Sequence, residues 1–342
     1  MERLNRYTPE DANDDTVRVL EAFLNHLPPD GRQNLVEHLQ SPNLATDENV
    51  RKHAKALVQA LLIPMKAQRN TPDVVISPRP GMEESIEDVL SEMTDPAIRE
   101  AKLKRDCLNR DGHMCAISKM PDSRYGTPRT ADRRNIETEC AHIIPFSLGT
   151  WKDEHEEIAK ANIWANIRRC FPGLLSRINF NQSSINDHRN CITMWIDVHK
   201  IFGGFTFALE ETAILNTYNV KSYNPTWTWM LPSQVRFVAH DDRYELPSPE
   251  LLKIHAIIAR ILHASGKGEQ IDKILRDRGD IAALAKDGST DLAALLAATT
   301  LGALESRPRD AENRSPTRGD GKARAHTPAG RAGKHREENV KH

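Results

Sequence analysis

The chain has 342 residues, of which 39% are hydrophobic and 28% charged. That length supports one large domain or two ordinary ones, and that composition excludes a wholly disordered chain. A net charge of −1 lacks the basic footprint of many nucleic-acid binders and leaves any phosphate recognition to a local patch.

In chain order, helices come first. Val17, Leu20, Phe23, Leu24 and Leu27 recur at helical spacing until Pro28-Pro29 ends the run. A second helix is expected near Asn34 to Leu39, and a third from Asp47 to Gln68 with Val50, Ala54, Leu57, Val58, Leu61 and Leu62 on one stripe. Thr71 to Pro80 reads as a loop. The next helix opens at Asp95-Pro96, an N-cap followed by a proline suited to the first turn. It carries Lys102, Lys104, Arg105 and Arg110 and ends at Asp111-Gly112.

Strand-like pieces follow at Met114 to Ile117 and Ile136 to Ile143, separated by a polar loop with Pro121, Gly126 and Pro128. Trp151 to Cys170 is a charged amphipathic helix closed by Pro172-Gly173. Further strand-like runs lie at Phe205 to Leu209, Tyr218 to Tyr223 and Val235 to Ala239. Leu251, Ile254, Ile258, Ile261 and Leu262 mark a helix that ends near Gly266, with more helix at Ile271 to Leu275 and Leu292 to Leu304. From about Arg307 the composition turns basic and loses its apolar period, which predicts a disordered tail.

No run approaches the ~20 apolar residues of a membrane span, and the opening Met1 to Arg6 lacks the apolar core of a secretory leader. The five cysteines are odd in number and form no CxxC pair, so neither a disulfide framework nor a four-cysteine zinc site is expected. Reduced thiols place the protein inside the cell, in nucleus or cytoplasm, without a membrane partner. Cys115 and Cys140 are expected to pack against each other across the two central strands.

Three pieces carry chemistry: Glu139-Cys140-Ala141-His142-Ile143-Ile144-Pro145-Phe146, then Asn190-Cys191-Ile192-Thr193-Met194, then Val198-His199-Lys200-Ile201-Phe202. In this order they resemble the HNH nuclease family. Arg110-Asp111-Gly112-His113-Met114-Cys115 and Leu246-Pro247-Ser248-Pro249-Glu250-Leu251-Leu252 resemble parts of fungal HNH proteins, so the likeness spans roughly residues 103 to 265. It implies an α+β fold, with a central ββα-metal module, additional short strands and helices flanking it at both ends. The Cys115 and His142 strands would form its hairpin and Trp195 to Phe202 its helix. The implied division is a helical region over 1–94, a nuclease domain over 95–265, helices over 266–305 and a basic tail over 306–342.

The resemblance also implies roles. His142 would be the general base that activates water, Asn190 the brace of its loop, and His199 a ligand of one divalent ion: Mg²⁺, Mn²⁺, Ni²⁺ or Zn²⁺. Histidine suits the first role because it titrates near neutrality, and a metal supplies the Lewis acid that phosphodiester hydrolysis needs. The implied function is a metal-dependent endonuclease acting on nucleic acid, on DNA before RNA. Ala141 stands where many relatives carry a further ligand, and Gly203-Gly204 where many carry Asp. Glu139, Asp187 and His188 are candidates to complete the metal site. These departures keep an alternative in view: a catalytically inactive HNH module that binds nucleic acid or a protein partner.

Overall fold

The computed structural model describes residues 2–67, 96–125, 135–151 and 154–279, all within the unit Met1–Ser306. The expectations for Thr71 to Pro80, Leu292 to Leu304 and the tail over 306–342 fall outside the described residues.

The N-terminal apolar stripes form α1 (Glu2–Asn5), α2 (Thr16–His26), α3 (Pro29–Gln40) and α4 (Asp47–Leu57). The prolines that stop α2 also start α3, since proline lacks the N–H that a first helical turn leaves unused. The expected Asn34 to Leu39 helix is therefore longer at both ends. Thr46 caps α4 by accepting from the Asn49 backbone N–H. Beyond Leu57 the chain widens into a π-turn, Val58–Leu62, before α5 (Ile63–Lys66). Pro64 explains the widening: its ring would crowd the Ala60 carbonyl of a regular helix and it cannot donate there.

Helix α6 spans Pro96–Arg110. The strand expected at Met114 to Ile117 does not form, and a single antiparallel bridge joins Met114 to Pro121. The segment turns back on itself instead, with Cys115 and Met120 hydrogen-bonded through their backbones at 2.9 Å and Lys119 at a positive φ of 58°. Strand β1 (Thr138–His142) therefore pairs with a distant partner, β2 (Cys191–Trp195), after the intervening α7 (Glu154–Cys170) and α8 (Gly173–Ile178). The β1–β2 ribbon is antiparallel, with Ala141 opposite Ile192 and His142 opposite Cys191. It runs directly into α9 (Ile196–Gly203).

A second sheet is a meander in the order β3 (Phe207–Glu211), β4 (Thr217–Ser222), β5 (Gln234–Arg236). Helices α10 (Pro249–Ser265) and α11 (Lys267–Gly279) follow. Leu251, Leu252, Ile254, Ile257, Ile258, Ile261 and Leu262 of α10 are all buried, so this helix is apolar on most of its circumference and runs through the core. It packs against α2 on one side and β3 on another. Phe23, Leu61, Phe202, Phe207 and Ile258 belong to one continuous core, so the N-terminal helices and the ribbon share it. Among the described residues no helix is long and apolar enough to cross a membrane. The architecture is α+β, small sheets with flanking helices.

Candidate active site

His142 is the last residue of β1, where Pro145 removes the donor that a longer strand would need. Its position is fixed from the partner side. Ile143 N–H donates to the Asn190 carbonyl at 2.8 Å, continuing the β1–β2 pairing past His142. The Asn190 side chain, fully buried, accepts from Ile144 N–H at 2.8 Å and donates to the carbonyls of Ile144 and Ile185 at 2.9 Å each. One amide thus closes three backbone groups that water cannot reach and locks the turn that follows His142.

The His142 ring is 4% exposed and lies 5.5 Å from the Phe146 ring. Burial pushes its pKa down to about 4, only partly offset by a hydrogen bond to Asn186, so the ring is neutral at physiological pH. Its Nε2 meets Asn186 Oδ1 at 3.0 Å. With that oxygen as the acceptor, Nε2 carries the proton, and Nδ1, which is buried, is the unprotonated nitrogen of the neutral ring. Asn186 itself is exposed, so the residue engaging the buried imidazole faces solvent.

His199 lies in the middle of α9, one turn after the ribbon ends. Its Nδ1 meets Glu139 Oε2 at 2.6 Å, and Glu139 belongs to β1, three residues before His142. The His199 hydrogen bond lowers the Glu139 pKa against the opposing effect of burial, and the nearby charge of Lys104 adds to it. Charge on His199 in turn helps to keep His142 neutral. Strand β1 therefore carries His142 at its end and Glu139 toward its start, with the carboxylate in the contact of α9.

Of the three residues considered to complete a metal site, Glu139 alone engages His199. Asp187 is drawn off by Arg189, with Oδ2 to Nη2 at 2.6 Å, and caps a short helical turn. His188 pairs with Asp106 at 3.3 Å, which raises its pKa, and its ring lies 4.9 Å from that of Tyr244. Ala141 is fully buried in the core and offers no ligand atom. An imidazole and a carboxylate in contact fit the donor chemistry of a divalent ion. Cis ligands at octahedral distances sit about 3 Å apart, so the contact need open only by a few tenths of an ångström.

Sequence reading missed two supports. Arg110, named in the sequence only as one of the basic residues of its helix, is fully buried. It donates to the carbonyls of His188, Glu245 and Cys191 and forms a forked pair with Asp111, whose Oδ2 accepts from Thr193 N–H at 3.0 Å. This clamp fixes β2 against α6; the signal for it was the Arg110-Asp111-Gly112 run, read only as a lead-in. Asn186 carried no signal at all. The expected packing of Cys115 on Cys140 also fails. Cys115 sits in the main core, whereas Cys140 meets Cys107 of α6 and Cys191 of β2. The turn that prevents a Cys115 strand is the cause.

A two-stranded ribbon feeding a helix, with histidines at the ribbon end and on that helix, sits within an α+β domain. Residues 115–210 match the family model described as HNH endonuclease, and the chain carries a domain of that family. The family points to nuclease or nucleic-acid-binding function. No curated protein and no solved structure matches the chain.

Proposed function

We propose that this protein is a metal-dependent endonuclease that hydrolyses phosphodiester bonds in DNA. The observation that carries the reading is the Glu139–His199 contact at 2.6 Å, made from the same strand whose end carries His142, a neutral imidazole engaged by Asn186 and followed by the Asn190 turn. His142 takes the proton of the attacking water. Asn190 keeps the backbone under that ring from shifting, and Glu139 and His199 would hold a divalent ion. When bound, the ion supplies Lewis-acid stabilisation of the charge that gathers on the phosphate. Lys104, whose charge reaches Glu139, adds a cation toward which a phosphate can be drawn.

The test is plasmid cleavage with Mg²⁺, Mn²⁺, Ni²⁺ and Zn²⁺, comparing the wild type with His142→Ala. Cleavage by the wild type with any of these ions, and its loss in the variant, supports the reading. Absence of both cleavage and metal uptake under all four ions would reject it. One observation favours a second reading, a nucleic-acid-binding module without catalysis: the His142 ring is only 4% exposed, and a base must reach its water. DNA retention without cleavage is the result that reading expects.

A further inference from the structure

The sulfur atoms of Cys107, Cys140 and Cys191 come from three separate elements, α6, β1 and β2, and all lie within 4.8 Å of one another. Cys140 and Cys191 share a face of the ribbon, because Cys191 is the direct partner of His142 and Cys140 lies two residues before it. Helix α6 closes that face and brings Cys107 onto it. We propose that the three thiols form a binding site for a single thiophilic metal ion, with Zn²⁺ as the cation class, separate from the His199–Glu139 pair.

Three observations converge on this assignment. The spacing suits it: tetrahedral zinc with Zn–S bonds near 2.3 Å holds its sulfurs about 3.8 Å apart, so small side-chain movements bring the three atoms to that distance. The surroundings suit it as well. Cys107 and Cys191 are fully buried and Cys140 is partly buried, so a thiolate cluster there is shielded from competing bulk water. No further His, Cys, Asp or Glu atom joins the group among the described residues, so the fourth position of a tetrahedral site falls to water. The charge is matched too. Binding one Zn²⁺ displaces three thiol protons and leaves a net charge of −1 on the cluster. The buried guanidinium of Arg110, on the same helix as Cys107, stands close enough for its charge to act on both Cys107 and Cys140.

The site would tie α6 to both strands of the ribbon on the face that also carries His142. It does not depend on the nuclease reading, so its test avoids cleavage altogether. The full chain is purified under reductant and without chelator, then titrated with a mercurial thiol reagent in the presence of a zinc-sensitive dye. About one zinc per chain should be released as the thiols react. Release should persist in His199→Ala, which removes the other candidate donor, and vanish in Cys107→Ser and Cys191→Ser. Because those variants can misfold, the wild type carries a second measurement. Loading the metal-free protein with Co²⁺ should produce a near-ultraviolet sulfur-to-cobalt charge-transfer band and strong visible bands of a tetrahedral site. Failure of the folded, reduced wild type to give that band overturns the proposal. So does recovery of the purified protein with a disulfide among the three cysteines.

Discussion

At the residue scale the decisive group is a histidine that the fold keeps neutral. Burial strips hydration from His142 and outweighs the hydrogen bond to Asn186, which places its pKa at about 4. A base of that kind is unprotonated throughout the neutral range. If it serves the proposed hydrolysis, the acid limb of kcat/KM should lie well below pH 6.5, and a limb centred at 6.5 would show that the ring works in solvent instead. His142→Ala should lower cleavage by roughly 10²–10⁴-fold, the usual contribution of a positioned proton acceptor, and leave metal uptake intact. His199→Ala should lose both, with partial recovery in excess metal. Isothermal titration of the ion into each variant separates the roles, and equal metal loss in both would make His142 a ligand. His142, Asn190 and His199 could be picked out in advance because their local runs resemble a family pattern. Glu139 could be named only as one of three options, since a separation in sequence says nothing about which side chain a helix will meet.

Elements meet here through a few close approaches. Gly31 of α3 lies so near the end of α7 that an added Cβ would stand 1.9 Å from the Cys170 carbonyl oxygen, an impossible contact with backbone on one side. Gly31→Ala should push the two helices apart and cost about 1–3 kcal/mol, readable as a lower urea midpoint at unchanged slope. An unchanged midpoint would mean that α3 is free to move. Helix positions were largely legible, because a 3.6-residue apolar period is a local property. The ribbon was not. The Cys115 and His142 segments look like neighbouring strands, and adjacency in sequence favours a hairpin. Cys115 bonds locally to Met120 and Lys119 while Ala116 N–H reaches the Thr193 carbonyl of β2, and β1 takes β2 as its partner. The same exchange moved Cys140 from Cys115 to Cys107 and Cys191.

For the whole molecule, one core joins α2, the β3 meander and α10, and it contains a second neutral histidine. His255 is buried between Phe202 and Phe205, with ring centroids at 3.9 and 4.4 Å, and its pKa falls to about 3 through burial. Both His142 and His255 thus have folded pKa values below the unfolded value near 6.5. The unfolded chain binds more protons as pH falls through that window, so the stability these groups contribute is complete above pH 6.5 and declines below it. By pH 5 the loss should be about 2 kcal/mol for each group. Urea unfolding at pH 7, 6 and 5 measures it, and a flat profile would rule out burial of the neutral rings. His255→Phe should flatten the slope by its own share.

Sequence alone determined the helical stripes and the α+β class, and it supplied the ordered set of His142, Asn190 and His199 on which the resemblance to the HNH family rests. Those properties are written in short windows, where side-chain periodicity and residue type act over one or two turns. Tertiary structure decided which strand pairs with β1, that Arg110 is a buried clamp, that Glu139 reaches His199, and that three cysteines with no common spacing lie together. Each of these depends on loop closure between distant segments. That choice is made by the competition of buried polar groups for partners across the whole chain, and no local window contains it.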